Sequence, residues 1–246
     1  MIKIELNKIY NEDCLEGMKR IPDGSVDMIL CDLPYGTTAC KWDEIIPFDL
    51  LWEQYERVIK DNGAIVLTAN QPFASALVMS NPKLYKYSWY WEKTKATGHL
   101  NAKKQPLRCI EDVLVFSKGT SLYFPQGTVS INKEQKKKTK PFVVGEQVYG
   151  KQDVSTVQTV GNYPRNLLTY KKPSKNVHPT QKPVALFEYL IKTYTREGET
   201  ILDNCMGSGT TAVACLNTNR NFIGFEMEKE YFEIANERID KHRQSL

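Results

Sequence analysis

The stretch Ile201-Leu202-Asp203-Asn204-Cys205-Met206-Gly207-Ser208-Gly209-Thr210-Thr211 reads as a short buried strand, a glycine turn and the start of a helix. No other feature of the chain restricts its fold as much. Gly207 and Gly209 remove side chains where the backbone must turn tightly and lie close to a ligand. The helix beyond offers free N–H groups and the positive end of its dipole to a carboxylate or phosphate. The next strand, Asn221 to Phe225, is followed by Glu226, roughly 20 residues past the glycines, where a doubly wound nucleotide fold sets a carboxylate on ribose hydroxyls. A solvated strand-end glutamate fits that spacing as well. No Gly-Lys-Thr/Ser follows the turn, which excludes a phosphate-loop nucleotidase, and the three-glycine dehydrogenase fingerprint is incomplete.

Strands and helices alternate along the rest of the chain, the pattern of an α/β domain with a mostly parallel sheet. Met1 to Leu6 reads as a first strand, and Ser25 to Cys31 as a buried strand running into the tight loop Asp32-Leu33-Pro34-Tyr35-Gly36. Leu51, Tyr55 and Val58 give a helical face, Gly63 a break, and Ala64 to Thr68 a strand. A short helix over 72–80 and strands over Tyr85–Trp91 and Val113–Ser117 follow, with Trp89 and Trp91 read as core. After Pro183 come a helix over Ala185–Tyr194, the strand–turn–helix above, and a closing helix from Glu228 to about His242. No run approaches 18 apolar residues, so no membrane span is expected. The start lacks the apolar stretch of a signal peptide, and none of the six cysteines forms a CxxC pair. Both fit reduced thiols and a cytoplasmic protein. With three histidines and this cysteine spacing, no metal site is expected.

Between Gly119 and Val177 the periodicity degrades, apart from Val-rich stretches at 143–148 and 154–160. This segment carries ten Lys/Arg against three Asp/Glu, while the remainder of the chain is net negative by three charges. A basic patch of that kind steers and holds a polyanion. The chain therefore divides into residues 1–118, an insertion over 119–177, and residues 178–246.

Four segments, in order, resemble the amino-methyltransferases of DNA, in the class whose catalytic segment precedes its cofactor loop. Asp32-Leu33-Pro34-Tyr35 resembles the catalytic Asp-Pro-Pro-Tyr, and Asp203 to Thr211 resembles Asp-Pro-Phe-x-Gly-Ser-Gly-Thr-Thr. His178-Pro179-Thr180-Gln181-Lys182-Pro183 matches a further family segment, and Asn11-Glu12-Asp13-Cys14-Leu15 the one that opens these enzymes. His99 to Ser117 resembles the stretch before the family's target-recognition insert. Two positions depart: Leu33 stands for the first proline, and Asn204-Cys205 for Pro-Phe.

The resemblance implies a Rossmann-like S-adenosylmethionine-dependent methyltransferase fold. Its sheet would have seven strands, mostly parallel with one antiparallel, in a circularly permuted chain: catalytic half 1–118, target-recognition insertion 119–177, cofactor half 178–246. It implies transfer of a methyl group from S-adenosylmethionine to adenine N6 of a flipped base in double-stranded DNA, with cytosine N4 as the alternative. Asp32 and the Leu33 carbonyl would accept from the target amino group, Pro34 would shape the loop, and Tyr35 would stack on the base. Asp13 and Cys14 would lie at the cofactor adenine, Glu226 at the ribose, and Asp203, Gly207, Ser208, Gly209 and Thr210 around the methionine end. His178, Thr180 and Lys182 would close that pocket, Lys182 within reach of the cofactor carboxylate. Lys133, Lys136, Lys137, Lys138, Lys140, Arg165, Lys171, Lys172 and Lys175 would meet DNA, the lysines mainly its phosphates. A homodimer and a cognate restriction endonuclease complete the expected partners. An RNA or protein-glutamine methyltransferase, and a DNA-binding relative with impaired catalysis, stay open as rivals.

Overall fold

Two strands at the centre of the sheet bury both of their faces. In Val26–Asp32 (β2) and Ile59–Ala69 (β3), side chains alternate between the two sides of a sheet. Ile29, Cys31, Ile65 and Leu67 enter one core, and Met28, Leu30, Ala64 and Val66 the other. Helices Cys14–Met18 (α1), Phe48–Val58 (α2) and Phe73–Ser80 (α3) cover the first core through Met18, Leu51, Tyr55, Val58, Phe73 and Leu77. Val184–Tyr194 (α4), Thr210–Asn217 (α5) and Lys229–Arg243 (α6) cover the second through Phe187, Leu190, Ala212, Cys215, Ala235 and Ile239. The result is a sheet between two helical layers, as near-continuous apolar strands require. This computed structural model describes residues 4–38, 40, 42–136, 157–172 and 181–245.

The remaining strands of the sheet are Lys8–Tyr10 (β1), Tyr85–Thr97 (β4), Arg108–Phe116 (β5), Leu167–Tyr170 (β8), Thr200–Asp203 (β9) and Asn221–Phe225 (β10). Their spatial order is β1-β10-β9-β2-β3-β5-β4-β8, and β5 alone runs antiparallel to its neighbours. The permuted order is visible where β9, from the end of the chain, pairs with β2, from its beginning. The connections run outward in opposite directions from that junction, so the loops after β2 and β9 emerge side by side. Ligands bind in such crevices of open α/β sheets.

Three details differ from the sequence expectation. Among the described residues the first strand is Lys8–Tyr10, and residues 4–6 of the expected Met1–Leu6 strand are not part of one, because Asn7 turns the chain at φ 60° and only then do Ile9 and Tyr10 enter the core. The sheet has eight strands among the described residues where seven were expected, since Leu167–Tyr170 adds to β4 in parallel. Gly63 does not end an element. It lies within β3, where the pairing jumps from Val26↔Ile59 to Met28↔Ala64.

The chain forms two compact units, one of Met1–Phe124 with Asn166–Leu246 and one of Pro125–Arg165. In the smaller unit Val129–Lys136 (β6) and Val157–Gly161 (β7) pair antiparallel, and the Asn162 amide donates to the Gly127 carbonyl at 2.6 Å. The stretch 143–148 lies outside the described residues. No helix among those described is long and apolar enough to cross a membrane.

Candidate active site

β2 ends on Asp32, and the loop that leaves it is pinned by a carboxylate further along. Asp43 is buried and accepts four backbone N–H groups, from Tyr35 (2.8 Å), Gly36 (2.9 Å), Thr37 (2.9 Å) and Thr38 (2.7 Å). Burial pushes its pKa up, but a hydrogen bond from the Thr38 side chain together with these backbone bonds outweighs burial and holds it below the usual carboxylate range. Gly36 sits at φ 66°, and a Cβ there would come within 3.0 Å of Ile45. Leu33, standing for the family's proline, is 4% exposed and packs into the first core. Side-chain burial and the Asp43 clamp thus restrain a loop that lacks one proline ring.

The Asp32 carboxylate is itself held on both oxygens. Oδ1 accepts from the Tyr35 hydroxyl (2.6 Å) and from the Thr68 hydroxyl. Oδ2 accepts from Lys182 Nζ at 2.6 Å. Lys182 lies just before α4 and also faces Glu111 of β5, which in turn pairs with Lys93 of β4 at 2.7 Å. All three of these side chains are at most 8% exposed, so charges of alternating sign run through a desolvated wall. Burial alone would pull the Lys182 pKa down, but Asp32 and Glu111 outweigh it and the net displacement is upward. For Glu111, burial pushes up, yet Lys182 and Lys93 outweigh it and hold the carboxyl low. Oε2 of Glu111 accepts no hydrogen bond from a described residue, and the Lys182 ammonium lies 3.5 Å from it.

On the other side of the junction, β9 delivers Asp203. Its Oδ1 accepts from Cys205 N (3.0 Å), its Oδ2 from the Thr211 hydroxyl, and burial raises its pKa to about 6. Asn204, in the family's proline position, accepts from the Tyr55 hydroxyl at 2.5 Å and donates toward the sulfurs of Cys14 and Cys205, each 3.5 Å away. Glu226 follows β10, and its Oε2 accepts from Gly207 N (2.7 Å) while Oε1 accepts from Glu228 N (2.9 Å). Burial pushes its pKa up. Gly209 is left-handed at φ 79°, and a Cβ there would stand 3.2 Å from that of Ala235 on α6. From the same helix, Arg238 donates to the Ser208 carbonyl at 2.9 Å and lies 3.2 Å from the Thr210 hydroxyl. Asp13 caps α1 through Leu15 N at 2.8 Å.

One cavity of about 450 Å³ joins these parts. Asp13, Cys14, Asp203, Gly207, Ser208, Thr210 and Glu226 line it together with Asp32, Leu33, Pro34, Tyr35 and Lys182. Lys93, Glu111, Lys172, Trp42 and Tyr231 complete its wall. Gly209 lies behind the turn, against α6. The acidic positions at one end suit hydroxyls and an amine, and the backbone turn at 207–209 leaves room for a ligand passing close to the chain. Those features fit an adenosyl group carrying an amino-acid tail.

Not every expected residue arrives there in the expected role. Lys182 is committed to Asp32 and Glu111, inside the charged wall of the cavity. The Tyr35 hydroxyl is turned to Asp32, and its ring packs on Phe73 at 5.1 Å between centroids. His178 and Thr180 lie outside the described residues. So do Lys137, Lys138, Lys140 and Lys175, and the side chains of Lys133 and Lys136. Arg165 and Lys171 are exposed, whereas Lys172 lines the cavity. Trp89 and Trp91 are buried, as read from the sequence. Sequence reasoning missed Thr68, Lys93, Glu111, Asp43 and Arg238. A Trp-Asp pair close behind the catalytic loop was the one local sign of Asp43.

Comparison with known proteins reaches the same place. The N6/N4 DNA methylase family model matches residues 26–237. Type II methyltransferase M.HpaI of Haemophilus parainfluenzae is 28% identical over 95% of this chain and 74% of its own. DNA adenine methyltransferase YhdJ of Escherichia coli (strain K12) is 28% identical over 96% of this chain and 83% of its own. The solved M1.HpyAVI–SAM complex aligns with a TM-score of 0.62 at 28% identity, over 94% of this chain and 98% of that one. The PvuII DNA methyltransferase (cytosine-N4-specific) aligns at 0.68 over 98% and 93%, but at 16% identity it shows a common fold alone. A match spanning both the Asp32 loop and the 203–211 turn leaves one assignment: the chain belongs to the DNA methylase family of N6- and N4-methyltransferases, with S-adenosylmethionine as its methyl donor.

Proposed function

We propose that the protein methylates adenine N6 in double-stranded DNA at a specific site. The reading is carried by Asp32, a carboxylate 20% exposed at the cavity that also contains Glu226 and the glycine turn. The exocyclic amine of a base is a poor nucleophile, because its lone pair is drawn into the ring. S-adenosylmethionine supplies an electrophilic methyl on a sulfonium, which the amine can take directly without a covalent enzyme intermediate. The protein's part is to favour a pyramidal amine and to stabilise the positive charge that develops on it. Two acceptors serve that end, the Asp32 carboxylate and the Leu33 carbonyl.

Hydrogen-bond capacity singles out one oxygen. Tyr35 and Thr68 both donate to Oδ1 and fill it, whereas among the described residues Oδ2 accepts from Lys182 alone and keeps a lone pair. The target N–H therefore goes to Oδ2. Lys182 sets a positive charge against that carboxylate, and Glu111 and Lys93 keep Lys182 in place. Asp13 and Glu226 hold the adenosyl part through its amino group and ribose hydroxyls, and the turn at Ser208–Thr210 holds the methionine end. The amine must leave the duplex stack to reach Asp32, with Tyr35 offering a ring to the extruded base.

Adenine is favoured over cytosine N4 because an aspartate opens the catalytic motif, where the family's cytosine enzymes often carry serine. YhdJ, named a DNA adenine methyltransferase, supports the same choice. Labelled S-adenosylmethionine incubated with the protein and unmethylated genomic DNA, followed by digestion to nucleosides, should yield labelled N6-methyladenine. Label in N4-methylcytosine alone overturns the assignment, and label only on RNA or protein overturns the substrate class. The proposal places the enzyme in the cytoplasm with its DNA. It also carries a homodimer, tested by sedimentation, and a cognate restriction endonuclease sharing the mapped site.

A further inference from the structure

We propose that the loop between β4 and β5, residues 98–107, is a second DNA-contacting element, and that Leu100 enters the duplex as the target base leaves it. This rests on the reading of the protein as a DNA methyltransferase that flips its base.

The loop stands at the rim of the catalytic cavity. Its two ends pair as Thr97↔Arg108, and both residues line the cavity with Trp91, Lys93 and Glu111. Gly98, at φ 92°, turns the chain into a short helical turn over His99–Asn101. The turn is closed by backbone bonds from Asn101 N to Gly98 O (3.0 Å), from Ala102 N to His99 O (3.1 Å) and from Lys104 N to Asn101 O (2.8 Å). At its tip Leu100 is 102% exposed, more than any other large apolar side chain among the described residues. Burying such a side chain is favourable, so its full exposure leaves that contribution unused by the free protein.

Charge identifies the occupant. From Lys93 to Ile110 the chain carries no acidic residue, and Glu92 and Glu111 bound the stretch on either side. Lys95, Lys103, Lys104 and Arg108 are all exposed on this segment, and none of them forms an ion pair with a described residue. An apolar tip set among such cations suits a stacked polyanion, with the cations on phosphates and the tip between bases. Extrusion of a base leaves an unstacked gap, and an apolar wedge that fills it offsets part of the cost of opening. The placement beside the base cavity puts the wedge where that gap forms.

The test uses the full chain with Leu100→Ala, Leu100→Asp and Leu100→Phe, unmethylated native genomic DNA, and tritiated S-adenosylmethionine. Single-turnover methyl transfer should fall at least tenfold in the alanine variant and further in the aspartate variant, while phenylalanine stays within about threefold of wild type. Cofactor affinity and melting temperature should not change, because the side chain is fully exposed in the free protein. Lys103→Gln with Lys104→Gln should flatten the dependence of log DNA affinity on log salt by about two, near 0.9 for each phosphate no longer neutralised. An aspartate variant as fast as wild type overturns the wedge, as does a loss explained by weaker cofactor binding or by an altered sedimenting mass. Wild-type protein that transfers no methyl group to DNA overturns the functional reading instead.

Discussion

Lys182 donates to Oδ2 of Asp32 across 2.6 Å, although 150 positions separate the two residues in the chain. The ammonium also serves Glu111, so its removal would leave the partly buried Asp32 without a cation and the buried Glu111 with Lys93 alone. Breaking a buried pair from one side costs roughly 3–5 kcal/mol. Lys182→Met should therefore lower the melting temperature and slow single-turnover methyl transfer by at least a hundredfold. Adding Glu111→Gln should lower the stability further and recover none of the rate, because the buried Lys93 then loses its carboxylate and Asp32 still lacks its cation. A double variant that regains full rate would show that Lys182 acts only as a structural support. Asp32→Ala should cost a hundredfold or more in rate with cofactor affinity within a few-fold of wild type.

Asp43 acts on the same loop through that loop's backbone. Its four N–H bonds fix the chain from Tyr35 to Thr38, which follows closely on the acceptor carbonyl of Leu33. In Asp43→Asn an NH₂ group replaces one acceptor oxygen and faces two backbone donors. Each buried donor left unpaired costs about 1–3 kcal/mol. The expected result is a ten- to hundredfold lower rate at saturating cofactor and DNA, with the dissociation constant for S-adenosylmethionine nearly unchanged. If cofactor affinity collapses and the saturated rate survives, the loop is not what Asp43 organises.

The parts legible in the sequence were those written into contiguous backbone. Asp32 to Gly36 and Asp203 to Thr211 each combine a strand end with a turn, and short apolar runs placed β2 and β3. Lys182 was visible as a residue but not in its partnership, because nothing local says that a lysine before α4 will meet the end of β2. Glu111 and Lys93 sit on strands whose register brings them together, and register is a property of the sheet and not of either segment. Arg238 reaches the glycine turn from a helix that reads as ordinary amphipathic chain. Residues 4–6 read as strand because Met1 to Leu6 alternates well, while the backbone turn at Asn7 decides where alternation begins to count among the described residues.

Glu226 offers a cleaner separation of binding from chemistry. Each of its oxygens already accepts one backbone N–H, which orients the carboxylate and leaves a second lone pair on each for a ligand hydroxyl. Glu226→Gln removes the charge and turns an NH₂ toward Gly207 or Glu228. Hydrogen bonds to charged groups contribute about 1.5–3 kcal/mol, so titration calorimetry should report at least tenfold weaker binding of S-adenosylmethionine. The single-turnover rate at saturation should stay within about threefold of wild type. Unchanged affinity would remove Glu226 from the cofactor site.

Asp203 links the glycine turn to pH. Burial raises its pKa to about 6 from an ordinary 3.8, despite the bonds from Thr211 and Cys205 N that favour its charged form. In the interval between those values the folded chain binds more protons at this site than the unfolded chain, so the slope of stability against pH is negative there. The contribution is fully present below about pH 3.8 and is lost as pH rises through about 6. At neutral pH the ionised side chain costs on the order of 3 kcal/mol relative to water. Asp203→Asn removes this titration, so its melting temperature should gain on that of wild type as pH rises from 4 to 7. A difference that stays flat over that range, or runs the other way, would place the Asp203 pKa at or below its ordinary value.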